Sequence, residues 1–213
     1  GSEMCIRDRH IGILGGTFNP IHNGHIELGV QALSQFDLDK VLVMPNNKPA
    51  YKDTPSEISA DHRVNMIKLA ISDIPGLEYS DFEIKRPGIT YTADTLVALN
   101  SLHPDVHWYF IMGGDSVMYF EKWRRPDVIA RLATLIVTTR SDTSAETIAG
   151  KIADLKSIYP YADILTETIH EYDVSSSQIR ANVKTGLPID GDVPVAVKDY
   201  IFQNHLYETG ERA

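Results

Sequence analysis

Short apolar runs alternate with amphipathic stretches along most of the chain. Ile11, Ile13 and Leu14 form a run that stops at Gly15-Gly16, and this pattern predicts a buried strand. From Asn23 to Phe36 the apolar positions Ile26, Val30 and Leu33 are spaced four and three apart, the stripe of an amphipathic helix. Val41 to Met44 reads as a second strand, closed by Pro45. Ser59 is placed to cap a helix whose face is Val64, Ile67 and Ile71. Glu78 to Ile84 reads as a strand. Thr92 reads as the cap of a helix with Leu96, Leu99 and Leu102 on one side. Trp108 to Met112 is an apolar strand ending in Gly113-Gly114, and Leu135 to Thr138 is another. Strands that alternate with helices imply a parallel sheet with right-handed crossovers, so the expected fold class is a doubly wound α/β sheet. The last part differs. Ser175 to Lys184, stopped by Gly186, and Pro194 to Asn204 read as two successive helices. They are expected to form a short C-terminal helical cap on the sheet's C-terminal edge.

Composition narrows the function classes. The chain has 213 residues, 43% hydrophobic and 23% charged, enough for one domain with a sizeable core. No apolar run reaches the roughly 18 residues of a membrane span. The net charge is −9 and no Lys/Arg block stands out, which argues against a general nucleic-acid surface. The single cysteine, Cys5, excludes an internal disulfide and a cysteine-based zinc site, and fits a reducing, cytoplasmic setting. Gly1 to Arg9 shows neither periodicity nor a signal-peptide core, and Gly1-Ser2 looks like a cloning remnant. Residues 1–9 are therefore expected to be cloning-derived or disordered, 10–208 to form one domain, and 209–213 to be a disordered tail.

In open α/β sheets ligands sit beyond the carboxyl ends of the strands. The first such turn runs Gly15-Gly16-Thr17-Phe18-Asn19-Pro20-Ile21-His22-Asn23-Gly24-His25. Gly15 and Gly16 let backbone approach an anion, and the following helix start offers free N–H groups and a positive partial charge. His22 and His25, three apart, share one face of the first helical turn, and Gly24 between them leaves space. A glycine pair alone is an ordinary turn. Two imidazoles at a helix start after a strand form a receptor for phosphate.

This turn resembles the signature of the HxGH nucleotidyltransferases, a superfamily with a Rossmann-like fold that transfers nucleotidyl groups from NTPs. Val174-Ser175-Ser176-Ser177-Gln178-Ile179-Arg180 is similar to the superfamily's second signature, with Ser177 where threonine is usual. Further segments resemble the bacterial nicotinate-mononucleotide adenylyltransferases: Pro45-Asn46-Asn47-Lys48-Pro49-Ala50-Tyr51-Lys52, where Ala50 and Tyr51 depart from the usual proline and histidine; Asp61-His62-Arg63; Arg86 to Leu96, with Thr90 in place of serine; and Phe110 to Ser116 followed by Trp123 and Arg125-Pro126. The resemblance extends from about Ile11 to Tyr207. A pantetheine-phosphate adenylyltransferase, a non-catalytic nucleotide sensor on the same fold and a dinucleotide-binding oxidoreductase are the alternatives. The last is disfavoured because the first turn lacks Gly-x-Gly-x-x-Gly.

The resemblance implies transfer of AMP from ATP to nicotinate mononucleotide, giving deamido-NAD and pyrophosphate. It implies catalytic roles for His22 and His25 on the α and β phosphates and for Arg180 on the β and γ phosphates. ATP would also be bound by Gly15, Gly16, Thr17, Phe18, Gly113, Asp115, Ser176 and Ser177. The mononucleotide would be bound by Asn46, Lys52, Tyr91, Thr92 and Trp123. Trp123 offers a flat face to a pyridine ring, worth about 1–3 kcal/mol by analogy with base stacking. Mg²⁺ is expected on the ATP phosphates, largely through water, without a dedicated protein metal site. The expected partners are these two substrates, with neither nucleic acid nor membrane. Self-association is allowed but not specified by the sequence.

Overall fold

The computed structural model describes residues 9–47, 58–139, 144–169 and 173–208. Lys52, with Ala50 and Tyr51, lies outside them, as do the two ends of the chain. Six parallel strands form one sheet: β1 (Arg9–Gly16), β2 (Lys40–Pro45), β3 (Leu77–Tyr79), β4 (Val106–Met112), β5 (Ala133–Thr139) and β6 (Ile164–Thr168). Their spatial order is β3-β2-β1-β4-β5-β6. Parallel neighbours need crossovers, and helices supply them: α1 (Asn23–Gln35), α2 (Ala60–Ile71), α3 (Thr92–Leu102), α4 (Gly114–Val117), α5 (Pro126–Leu132) and α6 (Ser144–Ile158). Two more, α7 (Ser176–Thr185) and α8 (Val195–Gln203), form the C-terminal cap.

The central strands are apolar because both faces are covered. All seven residues of β4 but His107 are buried, and all seven of β5 but Thr139. One face packs on α1, α2, α7 and α8 through Ala32, Met66, Ile67, Ile179 and Ile201. The other packs on α3 to α6 through Leu96, Val117, Ile129 and Ile152. The cap leans on α2, where the Tyr200 hydroxyl meets His62 Nδ1 at 2.7 Å and accepts from Asn65 Nδ2 at 3.0 Å.

The Rossmann-like doubly wound sheet expected from the sequence is present, and several boundaries move. β1 begins at Arg9, inside the segment set apart at the start, and Arg9 pairs with Asp105 at 3.0 Å. The strand expected over Glu78 to Ile84 ends at Tyr79. As an edge strand β3 has one neighbour to hold it. After Ser80 N donates to Val43 O the chain turns, and Lys85 N bonds Asp81 O. Thr92 is the first residue of α3 and not its cap: Tyr91 holds the cap position, and no side chain caps the helix. Leu102, expected on the buried stripe, is 63% exposed, whereas Ala93, Thr95, Leu96 and Leu99 are buried. Helices α5 and α6 and strand β6 add to the sequence reading.

Edge strand β6 carries an unusual buried acid. Glu167 is fully buried, and neither carboxyl oxygen has a hydrogen-bond partner among the described residues. Burial first, and the nearby Glu27 carboxylate second, push its pKa up to about 8. The folded pKa stands above the ordinary value, so the fold holds the neutral acid. The cost of ionising it appears as pH rises from the ordinary carboxylate range to about 8. Between pH 7 and pH 9 the protein should lose about 1 kcal/mol of stability from this group. Glu167→Met should flatten that slope and raise stability at pH 9, as read by denaturant unfolding at both pH values. An unchanged slope would assign the pH dependence to other groups.

Candidate active site

Strands β1 and β4 are neighbours, but their crossovers leave in opposite directions, which opens a crevice at their carboxyl ends. The turn after β1 and the glycine pair after β4 meet there around a cavity of about 440 Å³, whose lining includes His22, His25, Gly113, Asp115 and Thr138.

The start of α1 determines the chemistry. His22 is the N-cap and His25 the third helical residue. His25 N–H donates to His22 Nδ1 at 3.3 Å, and His22 N–H donates to His25 Nδ1 at 3.1 Å. This is a reciprocal capping box made of two imidazoles. The rings stack with centroids 3.6 Å apart and planes 25° from parallel. A backbone N–H can only donate, so both Nδ1 atoms keep their lone pairs, and each neutral ring carries its proton on Nε2. Burial lowers the pKa of His22 to about 4. Burial, then the neighbouring His22, lowers that of His25 well below the usual imidazole range. Both rings are therefore neutral at pH 7, each with one committed acceptor and one Nε2–H donor. A Cβ on Gly24 would lie 2.9 Å from the His22 ring, so the stacked pair requires glycine there. Phe18, in the left-handed region at φ 53° and 2% exposed, packs its ring against His25 with centroids 4.9 Å apart.

The turn that carries this pair is held from several sides. Arg180 Nη1 donates to Asn19 O at 2.8 Å, the Ser176 hydroxyl to Pro20 O at 2.8 Å, and the Tyr207 hydroxyl to Asn19 Oδ1 at 2.6 Å. Arg63 Nη1 donates to Thr17 O at 2.8 Å and to Asn46 O at 3.0 Å, and Nη2 to Asn47 O at 3.3 Å.

The site residues expected from the sequence are only partly brought together. His22, His25, Gly113 and Asp115 line the cavity together. Arg180 and Ser176 are not among the lining residues, and each is already bonded to a carbonyl of the first turn. Ser177 is exposed, 3.2 Å from the Ser175 hydroxyl. Gly15 and Gly16 end β1 without positive φ, and a Cβ on Gly16 would meet the Phe18 ring at 3.4 Å. The Phe18 side chain thus supports the pair from below. Asn46 follows β2, Tyr91 and Thr92 start α3, and Trp123 lies in the turn beyond α4, all outside the cavity lining. Asn46 Nδ2 reaches Thr17 Oγ1 at 3.3 Å, while Asn46 Oδ1 and Thr90 Oγ1 are buried without a partner among the described residues. The Arg124 guanidinium lies over the Tyr91 ring at 4.6 Å. Trp123 is half-buried against Phe110 and Phe120, with centroids 5.9 and 5.8 Å away. Much of its surface therefore serves the core.

Sequence reasoning placed Arg63 in a helix start and assigned it no role. A signal was available: Arg63, Ile67 and Ile71 are spaced by four, so a guanidinium sits on the buried stripe of α2. Tyr207 carried no such signal, because its contact with Asn19 spans 188 residues.

The cytidylyltransferase-like family model matches residues 13–182. A Lachnoclostridium phytofermentans protein named "Probable nicotinate-nucleotide adenylyltransferase" is 41% identical over 199 residues, covering 93% of this chain and 99% of its own. A Streptococcus pyogenes protein of the same name is 40% identical over 200 residues, covering 94% and 89%. A Plasmodium falciparum nicotinic acid mononucleotide adenylyltransferase, solved in complexes with APC and with NaAD, superposes with a TM-score of 0.73 at 22% identity, covering 93% of this chain and 97% of its own, and shares the fold. By sequence, fold and the two-histidine turn together, this chain belongs to the cytidylyltransferase-like nucleotidyltransferases and, among them, to the nicotinate-nucleotide adenylyltransferase family.

Proposed function

We propose that the protein transfers the adenylyl group of ATP to nicotinate mononucleotide, releasing pyrophosphate and forming deamido-NAD. The observation that carries this reading is the neutral, mutually capped histidine pair facing a cavity at the β1/β4 switch point. The names of the relatives supply the acceptor.

The mononucleotide phosphate is already an anion, so its oxygen attacks the α-phosphorus of ATP without a general base. A new P–O bond forms, the bond from the α-phosphorus to the α,β-bridging oxygen breaks, and pyrophosphate leaves with that electron pair. Charge grows on the leaving group, and the residues act by positioning and by hydrogen bonding to it. The Nε2–H groups of His22 and His25 donate to the α and β phosphates. Neutral donors suit this task, because two buried imidazolium ions would repel each other. Arg180 and the α7 N-terminus, with Ser176 and Ser177, face the β and γ phosphates. Arg180 keeps Nη2 for them while Nη1 holds Asn19. Gly15, Gly16, Thr17 and Gly113 form the backbone floor, and Asp115 accepts from a ribose hydroxyl.

Among the described residues no group of three His, Cys, Asp or Glu side chains is placed to hold a metal. Mg²⁺ bound to the triphosphate would neutralise charge on the departing pyrophosphate. Among the described residues no helix is long and apolar enough to cross a membrane.

The acceptor side explains a preference for acid over amide. The first turn of α3 begins at Thr92 without a side-chain cap, and its N–H groups favour negative charge. A carboxylate accepts from these donors and from the Thr92 hydroxyl. A carboxamide turns an NH₂ toward them, a mismatch costing about 1–3 kcal/mol. With Mg²⁺ and ATP, kcat/KM for nicotinate mononucleotide should exceed that for nicotinamide mononucleotide about tenfold or more, and Thr92→Ala should shrink the ratio. Equal values for the two would remove this segment from substrate choice. Phosphopantetheine as the better acceptor would replace the proposed function itself.

Loss of either histidine should lower kcat by about 10²–10³, the effect of removing one preorganised oxyanion donor. His22→Ser retains an N-cap acceptor, so it separates the phosphate contact from the helix start. Steady-state kinetics of His22→Ser and His25→Ala check this, and near-wild-type kcat in either variant would take that histidine out of the reaction.

A further inference from the structure

Arg63 belongs to neither substrate turn, yet it bonds to both. It projects from α2, a helix anchored independently: Met66, Ile67, Ala70 and Ile71 are buried in the core, and α8 holds His62 and Asn65 through Tyr200. Arg63 is itself 6% exposed. Its Nη1 serves two carbonyls at once, Thr17 O at 2.8 Å and Asn46 O at 3.0 Å, and Nη2 reaches Asn47 O at 3.3 Å.

These carbonyls lead to different halves of the site. Thr17 opens the turn that ends in His22 and His25. Asn46 and Asn47 follow β2, and the Asn47 amide continues to Arg86 O at 2.7 Å, on the loop that leads into α3. A contiguous set of contacts therefore runs from the phosphate turn, through one guanidinium, to the loops assigned to the mononucleotide. Direct ties between the first two turns also exist, from Asn46 N to Gly16 O at 3.0 Å and from Asn46 Nδ2 to Thr17 Oγ1 at 3.3 Å. The guanidinium adds a third tie, from a helix packed separately in the core and against α8.

We infer that Arg63 is a positioning residue that sets the ATP-side turn and the mononucleotide-side turn in register, so that binding of either substrate orders the site for the other. The inference rests on the adenylyltransferase reading given above. One nitrogen shared between Thr17 O and Asn46 O makes the coupling geometric: a turn ordered on one side fixes the nitrogen that orders the turn on the other. A coupling of this kind is reciprocal, and typical couplings are about 5–150-fold in affinity. Lysine retains the charge but offers a single nitrogen without the planar fork, so it cannot hold the three carbonyls in the same geometry.

The experiment is calorimetric binding of nicotinate mononucleotide to the full chain, with and without a saturating non-hydrolysable ATP analogue. In the wild type the analogue should tighten the mononucleotide about fivefold or more, and the mononucleotide should tighten the analogue by the same factor. In Arg63→Lys the factor should fall to about one, while each ligand alone binds within a few-fold of wild type; the melting temperature should drop by several degrees as bonds to buried carbonyls are lost, with the chain still folded at the assay temperature. Arg63→Ala should behave in the same way, and free guanidinium at low millimolar concentration should restore its coupling. If Arg63→Ala does not fold, the lysine variant alone decides. A wild-type factor of one, or an undiminished factor in Arg63→Lys, would overturn the role of Arg63 and leave the proposed reaction standing. Failure of the wild type to bind nicotinate mononucleotide at all would overturn both.

Discussion

The mutual capping of two imidazoles at the start of α1 governs the rest of the site. A helix leaves its first N–H groups without internal partners, and a side-chain acceptor usually takes one of them. Here the acceptors are ring nitrogens, so one pair of contacts closes the helix start, fixes both tautomers and aims two N–H donors away from the backbone. Desolvation keeps the rings neutral, which allows them to stack at 3.6 Å. The glycine between them and the left-handed, buried Phe18 beneath them follow from that stacking.

Such an arrangement needs a rigid frame, and most of it comes from distant parts of the chain. The parallel sheet delivers the turn to the crevice but leaves its carbonyls at the end of the ladder. Those carbonyls are met by donors from α2 and α7, and the Asn19 side-chain oxygen by Tyr207 after α8. Each bond is modest, about 0.5–1.5 kcal/mol for a neutral pair and roughly twice that for a guanidinium. Their combined effect is to tie an eleven-residue turn to three separate parts of the fold.

Much of this was legible in the sequence, and the parts that were not share a cause. Apolar runs such as Val41 to Met44 and Trp108 to Met112 marked strands because a parallel strand is buried on both faces. Ser175 and Gly186 marked the ends of α7 by cap chemistry alone. The histidine spacing pointed to a phosphate receptor, although not to the tautomers, which depend on backbone geometry. The strand expected beyond Tyr79 misled because Phe82 and Ile84 alternate like strand residues in a segment that turns. The cap of α3 shifted by one residue because threonine's ordinary preference for that position yielded to the extended backbone of Tyr91. Contacts such as Arg63 to Thr17 or Tyr207 to Asn19 join residues 46 and 188 positions apart, and no local pattern encodes them.

The contact between Tyr207 and Asn19 also bears on the order in which the molecule is made. Synthesis runs from the amino end, whereas a domain generally folds as a unit. The histidine turn emerges well before its tether: Asn19 waits for a partner translated almost 190 residues later. A nascent or truncated chain that stops short of α8 carries both histidines without the tether that holds their turn. Assembly of the phosphate receptor therefore depends on a residue translated long after the histidines it helps to hold.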